Sequence, residues 1–338
     1  MKTKHFYFKF LLLLALGLAT TVFNSCIKEG NSNPDVYVAG YENNAQGKSV
    51  AKLWKNGVAQ NLTDGAFDAA ANSVYVSGSD VYVAGCEYNA QGNCVAKLWK
   101  NGVAQELYNG TQAFSVYVSG NNVYVAGSGN DGGILWKNGV AQELDLSYDA
   151  QSVFVAGSDV YVAGRVYTQR QIVASLWKNG ILQNINISSS AKFSSAWSVY
   201  VSGSDVYVAG YEYNMQGNYV VKLWKNGVAQ NISDVTDDAV AYSVYVSGSN
   251  VYVAGFEYNA QGFCVAKLWK NGVVQNLTDG TYTSDANSVY VSGSDVYVAG
   301  FEYNEQENRV AKLWKNGVAQ NLTDGTFTAV AYSVFVVK

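Results

Sequence analysis

A short motif that recurs seven times constrains this chain of 338 residues more than any other feature. The pentapeptide LWKNG starts at residues 53, 98, 135, 176, 223, 268 and 313, and VYVAG starts at residues 36, 81, 123, 160, 206, 251 and 296. A third element, SVYVSG or a close variant, starts at residues 73, 115, 152, 198, 243, 288 and 333. Repeats with a period of roughly 40–50 residues are typical of arrays in which each unit buries apolar surface against its neighbours.

Each unit has the pattern of four short antiparallel strands. SVYVSG leads through a tight glycine-containing turn into VYVAG, which is a hairpin pattern. The third strand ends in LWKNG, whose Asn-Gly pair forms a second tight turn before the fourth strand, VAQNL. Four strands per unit are typical of a propeller blade. The sequence therefore predicts an all-β, seven-bladed β-propeller over residues 35–338.

The two ends of the repeat region favour a closed ring over an open solenoid. The first unit begins at its second strand, residues 36–40, and residues 333–338 supply an unpaired first strand at the other end. Together they complete one blade, whereas a solenoid needs atypical polar units at its ends. We expect the C-terminal strand to close the ring by pairing with the N-terminal unit.

The order of strands resembles that of kelch-type propellers, in which the first strand of each unit is innermost. Kelch units carry a Gly-Gly doublet where VYVAG has one glycine, and the Trp-Asp signature of WD-repeat propellers is absent. The resemblance implies the fold and transfers no catalytic residue. Copper-oxidase members need histidine ligands, and sialidase propellers use an arginine triad with Asp-box turns, whereas this chain has only Arg165, Arg170 and Arg309 and no Asp-box.

The N-terminus has the pattern of a targeting segment. Lys2, Lys4 and Lys9 precede an apolar run over residues 11–23, which is too short to span a bilayer. The tetrapeptide FNSC at 23–26 resembles a bacterial lipoprotein signal, in a relaxed form found in Bacteroidetes-like lipoproteins. The resemblance implies a signal peptide over 1–25, lipidation of Cys26, a tether over 26–34 and an outer-membrane location at the cell surface. The alternative is ordinary signal cleavage and secretion.

Composition excludes several classes of function. His5 is the only histidine and lies in the signal segment, so histidine-based catalysis and histidine metal ligands are excluded from the mature chain. Without residues 1–25 the chain has 19 basic and 26 acidic residues, a net charge of −7 without a basic tract, which argues against nucleic acid. We expect no metal, no cofactor and a monomer.

Variable residues on the top face of the ring form the candidate site. The residue just before each first strand varies, and these seven positions should surround the mouth of the central channel: Asn72, Phe114, Gln151, Trp197, Tyr242, Asn287 and Tyr332. Arg165, Tyr167 and Arg170 belong to an altered loop beside Trp197. Aromatic faces with amides and guanidinium groups suit a glycan. The alternative is that these side chains plug the channel as packing.

The sequence thus predicts an envelope-anchored, non-catalytic binding or scaffold protein with a glycan ligand, and with a protein ligand as the second choice. A polysaccharide hydrolase or lyase is a third interpretation, since it needs two carboxylates, but the top-loop glutamates repeat in several units. Cys86 and Cys94 flank one top hairpin and form a possible disulfide if they are directly opposed. Lys55 and its six equivalents are expected to form a basic ring underneath, facing an anionic membrane.

Overall fold

The structure is a computed structural model that describes residues 33–338, apart from Leu146, Gln169, Arg170, Ser190 and Asp237. The chain divides into the segments Met1–Asn33 and Pro34–Lys338, and the second of them is a compact unit. The predicted signal peptide over 1–25, Cys26 and nearly all of the predicted tether lie outside the described residues.

The described residues of the second unit form 28 strands in seven four-stranded antiparallel sheets. The prediction of an all-β, seven-bladed propeller is therefore confirmed. In this part of the chain there is no helix with the length and apolar character needed to cross a membrane.

Each sheet is one blade, numbered I to VII along the chain. Blade I contains β1 Asp35–Asn43, β2 Ser49–Lys55, β3 Val58–Asn61 and, from the other end of the chain, β28 Ala329–Val337. Blade II contains β4 Ala69–Ser77, β5 Asp80–Tyr88, β6 Cys94–Lys100 and β7 Val103–Glu106. Blade III contains β8 Gly110–Ser119, β9 Asn122–Gly129, β10 Gly132–Lys137 and β11 Val140–Glu143. Blade IV contains β12 Ser147–Ala156, β13 Asp159–Tyr167, β14 Ile172–Lys178 and β15 Ile181–Gln183.

The remaining blades repeat this order. Blade V contains β16 Phe193–Ser202, β17 Asp205–Tyr213, β18 Tyr219–Lys225 and β19 Val228–Asn231. Blade VI contains β20 Ala239–Ser247, β21 Asn250–Tyr258, β22 Cys264–Lys270 and β23 Val273–Asn276. Blade VII contains β24 Ser284–Ser292, β25 Asp295–Tyr303, β26 Arg309–Lys315 and β27 Val318–Asn321.

The core lies between blades rather than within one of them. The LWKNG tryptophans are at most 1 % exposed, and each packs against the neighbouring blade, as Trp54 of blade I does against Tyr297 and Ala299 of blade VII. The fourth strands are the exposed outer edges, with Val58 of β3 73 % exposed. Apolar residues on both faces of the second and third strands therefore bind each blade to its neighbours.

The C-terminal strand closes the ring as predicted. Strand β28 pairs with β1, Val336 opposite Val36 and Val334 opposite Val38, and both C-terminal valines are only 4 % exposed. The serine of each SVYVSG element adds a link between blades. Its Oγ accepts a hydrogen bond of 3.1–3.2 Å from the valine N–H of the next blade, and the series runs through all seven described blades. The ring is thus continuous where the two ends of the repeat region meet.

The Lys-Asn-Gly turns on the underside are held by local polar contacts. Asn56 takes a positive φ of 52°, donates through Nδ2 to Asp35 Oδ1 and accepts through Oδ1 from the Val36 N–H. Lys55 pairs with Asp35 at 2.8 Å and lies 5.2 Å from the centre of the Tyr37 ring. Equivalent ion pairs occur at Lys100, Lys178, Lys225 and Lys315. The expected ring of free basic charge is therefore largely neutralised by aspartates.

Candidate binding site at the channel mouth

Every predicted mouth residue lies at a β-bulge. In blade II the pairing of β4 with β5 passes from Ala71 to Ser73 and skips Asn72, and the same skip occurs in each blade. A bulge leaves one residue unpaired, bends the strand and redirects a side chain. The glycine of VYVAG makes the bulge possible, since a Cβ on Gly85 would collide with the Ala70 carbonyl oxygen. The repeat thus builds the same inward-directed position seven times.

The structure brings all seven mouth residues to the wall of one cavity of about 580 Å³, a volume typical of small-ligand sites. Their side chains surround this space without filling it. Arg165 lines the same cavity. Tyr167, which is 64 % exposed at the end of β13, is not among the residues that line it, and Arg170 lies outside the described residues.

Six further residues, which the sequence analysis did not predict, also line the cavity. Gln112, Asp149, Asp285 and Val330 each stand two positions before a mouth residue, while Phe301 and Arg309 come from the second and third strands of blade VII. Side chains two residues apart on a strand share a face. That period-two rule, applied to the mouth residues, was the signal that would have found the first four.

A buried ion pair occupies the blade IV side of the cavity. Arg165 Nε lies 3.0 and 3.1 Å from the two Asp149 carboxylate oxygens, and its Nη2 also contacts Oδ2. Gln151 Nε2 donates to the same carboxylate at 2.9 Å. The guanidinium also lies 5.0 Å from the Tyr148 ring centre and 5.5 Å from that of Trp197. Both charges are therefore satisfied by each other and by their neighbours.

Asp285, on the blade VII side of the cavity, differs from Asp149 because one of its carboxyl oxygens has no hydrogen-bond partner among the described residues. That oxygen, Oδ1, is buried. Burial raises the pKa of the Asp285 carboxyl to about 6, and the charge of Arg309 opposes this only in part. Arg309 itself donates from Nε to the Tyr303 hydroxyl at 2.9 Å and lies 5.0 Å from the Phe301 ring centre. The cavity therefore contains a carboxylate with unused hydrogen-bonding capacity.

The other mouth side chains make hydrogen bonds and ring contacts with neighbouring blades, and one of them has a polar atom without a partner among the described residues. Asn72 and Asn287 each donate an amide N–H to a carbonyl of the next blade, Ala113 and Ala331, at 2.9 Å. Trp197 and Tyr242 make an edge-to-face contact with ring centres 5.7 Å apart. Trp197 Nε1 is buried without a partner in the described part of the chain. Two residues that line the cavity, Trp197 and Asp285, thus each have a buried polar atom without a partner among the described residues.

A collar of aromatic side chains surrounds the channel three residues further along each first strand. We call these residues the channel collar: Tyr75, Tyr117, Phe154, Tyr200, Tyr245, Tyr290 and Phe335. Each ring touches the next, with centres 4.7–5.0 Å apart and planes inclined by 49–51°. That inclination is about one-seventh of a full turn, as seven equivalent blades require. The Tyr245 hydroxyl interacts with those of both Tyr200 and Tyr290.

The cysteines of blade II are free thiols in the structure. Cys86 pairs with Ala96 and Cys94 pairs with Tyr88, so the two are diagonal neighbours rather than the directly opposed pair on which the disulfide prediction depended. Their side chains interact, and Gln112 Nε2 lies 3.4 Å from Cys94 Sγ. Within the described ranges, no three His, Cys, Asp or Glu side chains group as metal ligands.

Comparison with known proteins identifies relatives by fold only. No family model and no curated protein matches the sequence. The β-propeller domain of the Trilobed protease from Pyrococcus furiosus superposes with a TM-score of 0.55 at 13 % identity, over 87 % of this chain and 98 % of that domain. That domain is described as having an open velcro topology, whereas here β28 pairs with β1.

Two larger proteins match over about half of their length. A puromycin-hydrolyzing peptidase from Mycobacterium tuberculosis gives a TM-score of 0.53 at 11 % identity, over 84 % of this chain and 53 % of the peptidase. A mutant puromycin hydrolase complexed with PGG gives 0.56 at 9 % identity, over 87 % and 52 %. At these identities the likeness establishes the fold.

These comparisons correct the functional prediction. The structural relatives are propellers of peptidases, and not glycan-binding modules of an envelope. The prediction of a glycan-binding protein is therefore wrong, and its hydrolase or lyase alternative has no support from them either. Aromatic and amide side chains suggested a sugar, but the same groups bind other polar ligands equally well.

Proposed function

We propose that this propeller binds peptides in the cavity at the mouth of its channel, as a recognition domain related to the propellers of peptidases. One observation carries the proposal. Trp197 and Asp285 line the cavity among aromatic side chains, and Trp197 Nε1 and Asp285 Oδ1 are buried without a hydrogen-bond partner among the described residues. A peptide backbone offers both N–H and C=O groups, and so it complements both orphan atoms while its side chains pack on the rings. The fold likeness to peptidase propellers supports this choice of ligand.

The proposal gives the propeller a recognition role and gives no described residue a catalytic one. Export and lipidation at Cys26 remain proposals that rest on residues 1–26, and the monomeric state remains a proposal as well. Labelling of the chain with a radioactive fatty acid, and its loss in Cys26→Ala, would test the anchor independently of the cavity.

Peptide capture tests the proposed function. The full chain is incubated with a tryptic digest of an unrelated protein, separated from free peptide by gel filtration, and the retained peptides are identified by mass spectrometry. The matched control is Trp197→Asn with Tyr242→Asn, because asparagine already occupies this position in blades II and VII. We expect enrichment by the natural chain and its loss in an equally stable variant. No enrichment by the natural chain, or equal enrichment by both, would refute peptide binding at the mouth.

A further inference from the structure

The carboxyl group of Asp285, in the cavity wall, has an oxygen that receives no hydrogen bond from the described residues. That oxygen, Oδ1, is buried. Leaving a buried charged acceptor unpaired is unfavourable unless a ligand supplies the donor. A group that donates hydrogen bonds and carries positive charge would satisfy it best.

The two arginines of the cavity are, in contrast, already engaged. Arg165 is held by Asp149 and by the faces of two aromatic rings. Arg309 donates to the Tyr303 hydroxyl and lies over Phe301, and it acts on Asp285 through its charge without a hydrogen bond to Oδ1. The cavity therefore has more unused capacity for a cation than for an anion such as a peptide carboxylate.

Aromatic side chains border the carboxylate on both sides. Blade VII lies between blades VI and I, so Tyr242 and Tyr332 flank Asp285 in the cavity wall. Burial raises the pKa of both phenols, and the negative charge of Asp285 adds to each shift. A carboxylate between aromatic rings is a suitable site for an ammonium group, which gains an ion pair and cation–π contacts together.

The channel collar determines how a peptide can reach this site. Neighbouring collar rings are in contact, and hydroxyls interact between Tyr75 and Tyr117 and among Tyr200, Tyr245 and Tyr290. Ring centres 4.7–5.0 Å apart at seven positions lie on a circle of about 5.5 Å radius, which the rings themselves largely fill. A polypeptide cannot pass through it, so a ligand enters from the mouth and an end of the chain fits better than its middle.

We propose that Asp285 binds the free α-ammonium group of a peptide whose first residues enter the cavity from the mouth. This inference rests on the proposed peptide-binding function and adds to it a polarity and a chemical requirement. Peptides with an unmodified amino terminus are ligands, and the carboxyl end of the peptide points outward.

Titration of the full chain with matched peptides tests the inference. The probes are Ala-Phe-Ala, Ala-Leu-Ala and Ala-Lys-Ala, each free, N-acetylated and C-amidated, and affinity is measured by calorimetry at pH 7.5. Losing a charge-assisted hydrogen bond predicts affinity roughly 10- to 100-fold weaker after acetylation. Amidation of the carboxyl end should change affinity by less than about threefold, because that end lies in solvent.

Asp285→Val is the matched variant, since Val240 and Val330 occupy the equivalent position in blades VI and I. We expect it to weaken binding of the free peptides to the level of the acetylated ones and to abolish the difference between the two forms. Equal binding of free and acetylated peptides by the natural chain would overturn the ammonium site while leaving peptide binding intact. Binding lost on amidation but not on acetylation would reverse the polarity. No binding of any tripeptide, together with no enrichment from the digest, would remove both proposals.

Discussion

Replacement of Asp285 by valine should make the protein more stable at neutral pH. Burial raises the pKa of this carboxyl from 3.8 to about 6. At 1.36 kcal/mol per pKa unit, ionised Asp285 destabilises the folded state by about 3 kcal/mol, an upper value for a group that is not fully enclosed. Valine removes this penalty and fills a position where two other blades carry the same residue.

The pH dependence distinguishes this cause from simple packing. Below about pH 4 the carboxyl is neutral in both states, so the variant gains little there. Between about pH 4 and 6 the folded state retains a proton that the unfolded state loses, so the stability of the natural chain falls relative to the variant as pH rises. The groups that act on Asp285 or respond to it are Arg309, Tyr242, Tyr258, Cys264 and Tyr332. All of them have a raised pKa and titrate above this window.

Urea unfolding of both chains at pH 4, 6 and 8 measures this effect. We expect a difference in unfolding free energy near zero at pH 4 that grows to about 2–3 kcal/mol at pH 8. Asp324→Asn is the control, because the Thr326 backbone N–H lowers the pKa of that exposed carboxyl and the sign is opposite. A gain of the same size at pH 4 and pH 8, or no gain at pH 8, would show that burial of a charge at Asp285 is not the cause.

Three further predictions follow from the ring and its cavity. Deletion of residues 333–338 removes two buried valines and should lower the unfolding free energy by about 3 kcal/mol or more in a thermal melt, and an unchanged melt would contradict closure by β28. Asp149→Val alone leaves Arg165 buried without its partner and should destabilise by about 3 kcal/mol, whereas adding Arg165→Phe, as in blade VI, should restore most of it in a double-mutant cycle. Cys86 and Cys94 should both be alkylated after unfolding without reductant, and protection of the pair, detected by mass, would reveal a disulfide instead.

The fold was predictable because the same sequence pattern of short strands and turns occurs seven times along the chain. Alternating apolar residues, two tight turns, a first unit that lacks its first strand and an orphan first strand at the C-terminal end leave little choice of architecture. The mouth residues were also predictable, because each is the variable position before a constant strand. The bulge that directs them inward was not, since it depends on the pairing of Gly85 and its equivalents with the bulged strand in three dimensions.

The charged part of the site was missed for a different reason. Asp149 and Asp285 differ from the residues at the same place in most units, but they precede the strand pattern and read as loop residues. Their roles depend on partners that the sequence does not place together. Arg165 satisfies Asp149, whereas nothing described satisfies Asp285. The ligand class could not be predicted, because aromatic and amide groups suit sugars and peptides alike.

A structure of the full chain with Ala-Phe-Ala at saturating concentration tests peptide recognition at the channel mouth most directly. We expect the peptide in the cavity above the channel collar, with its amino nitrogen about 3 Å from a carboxylate oxygen of Asp285. A cavity without peptide at that concentration, or a peptide bound elsewhere on the protein, would contradict recognition at the mouth.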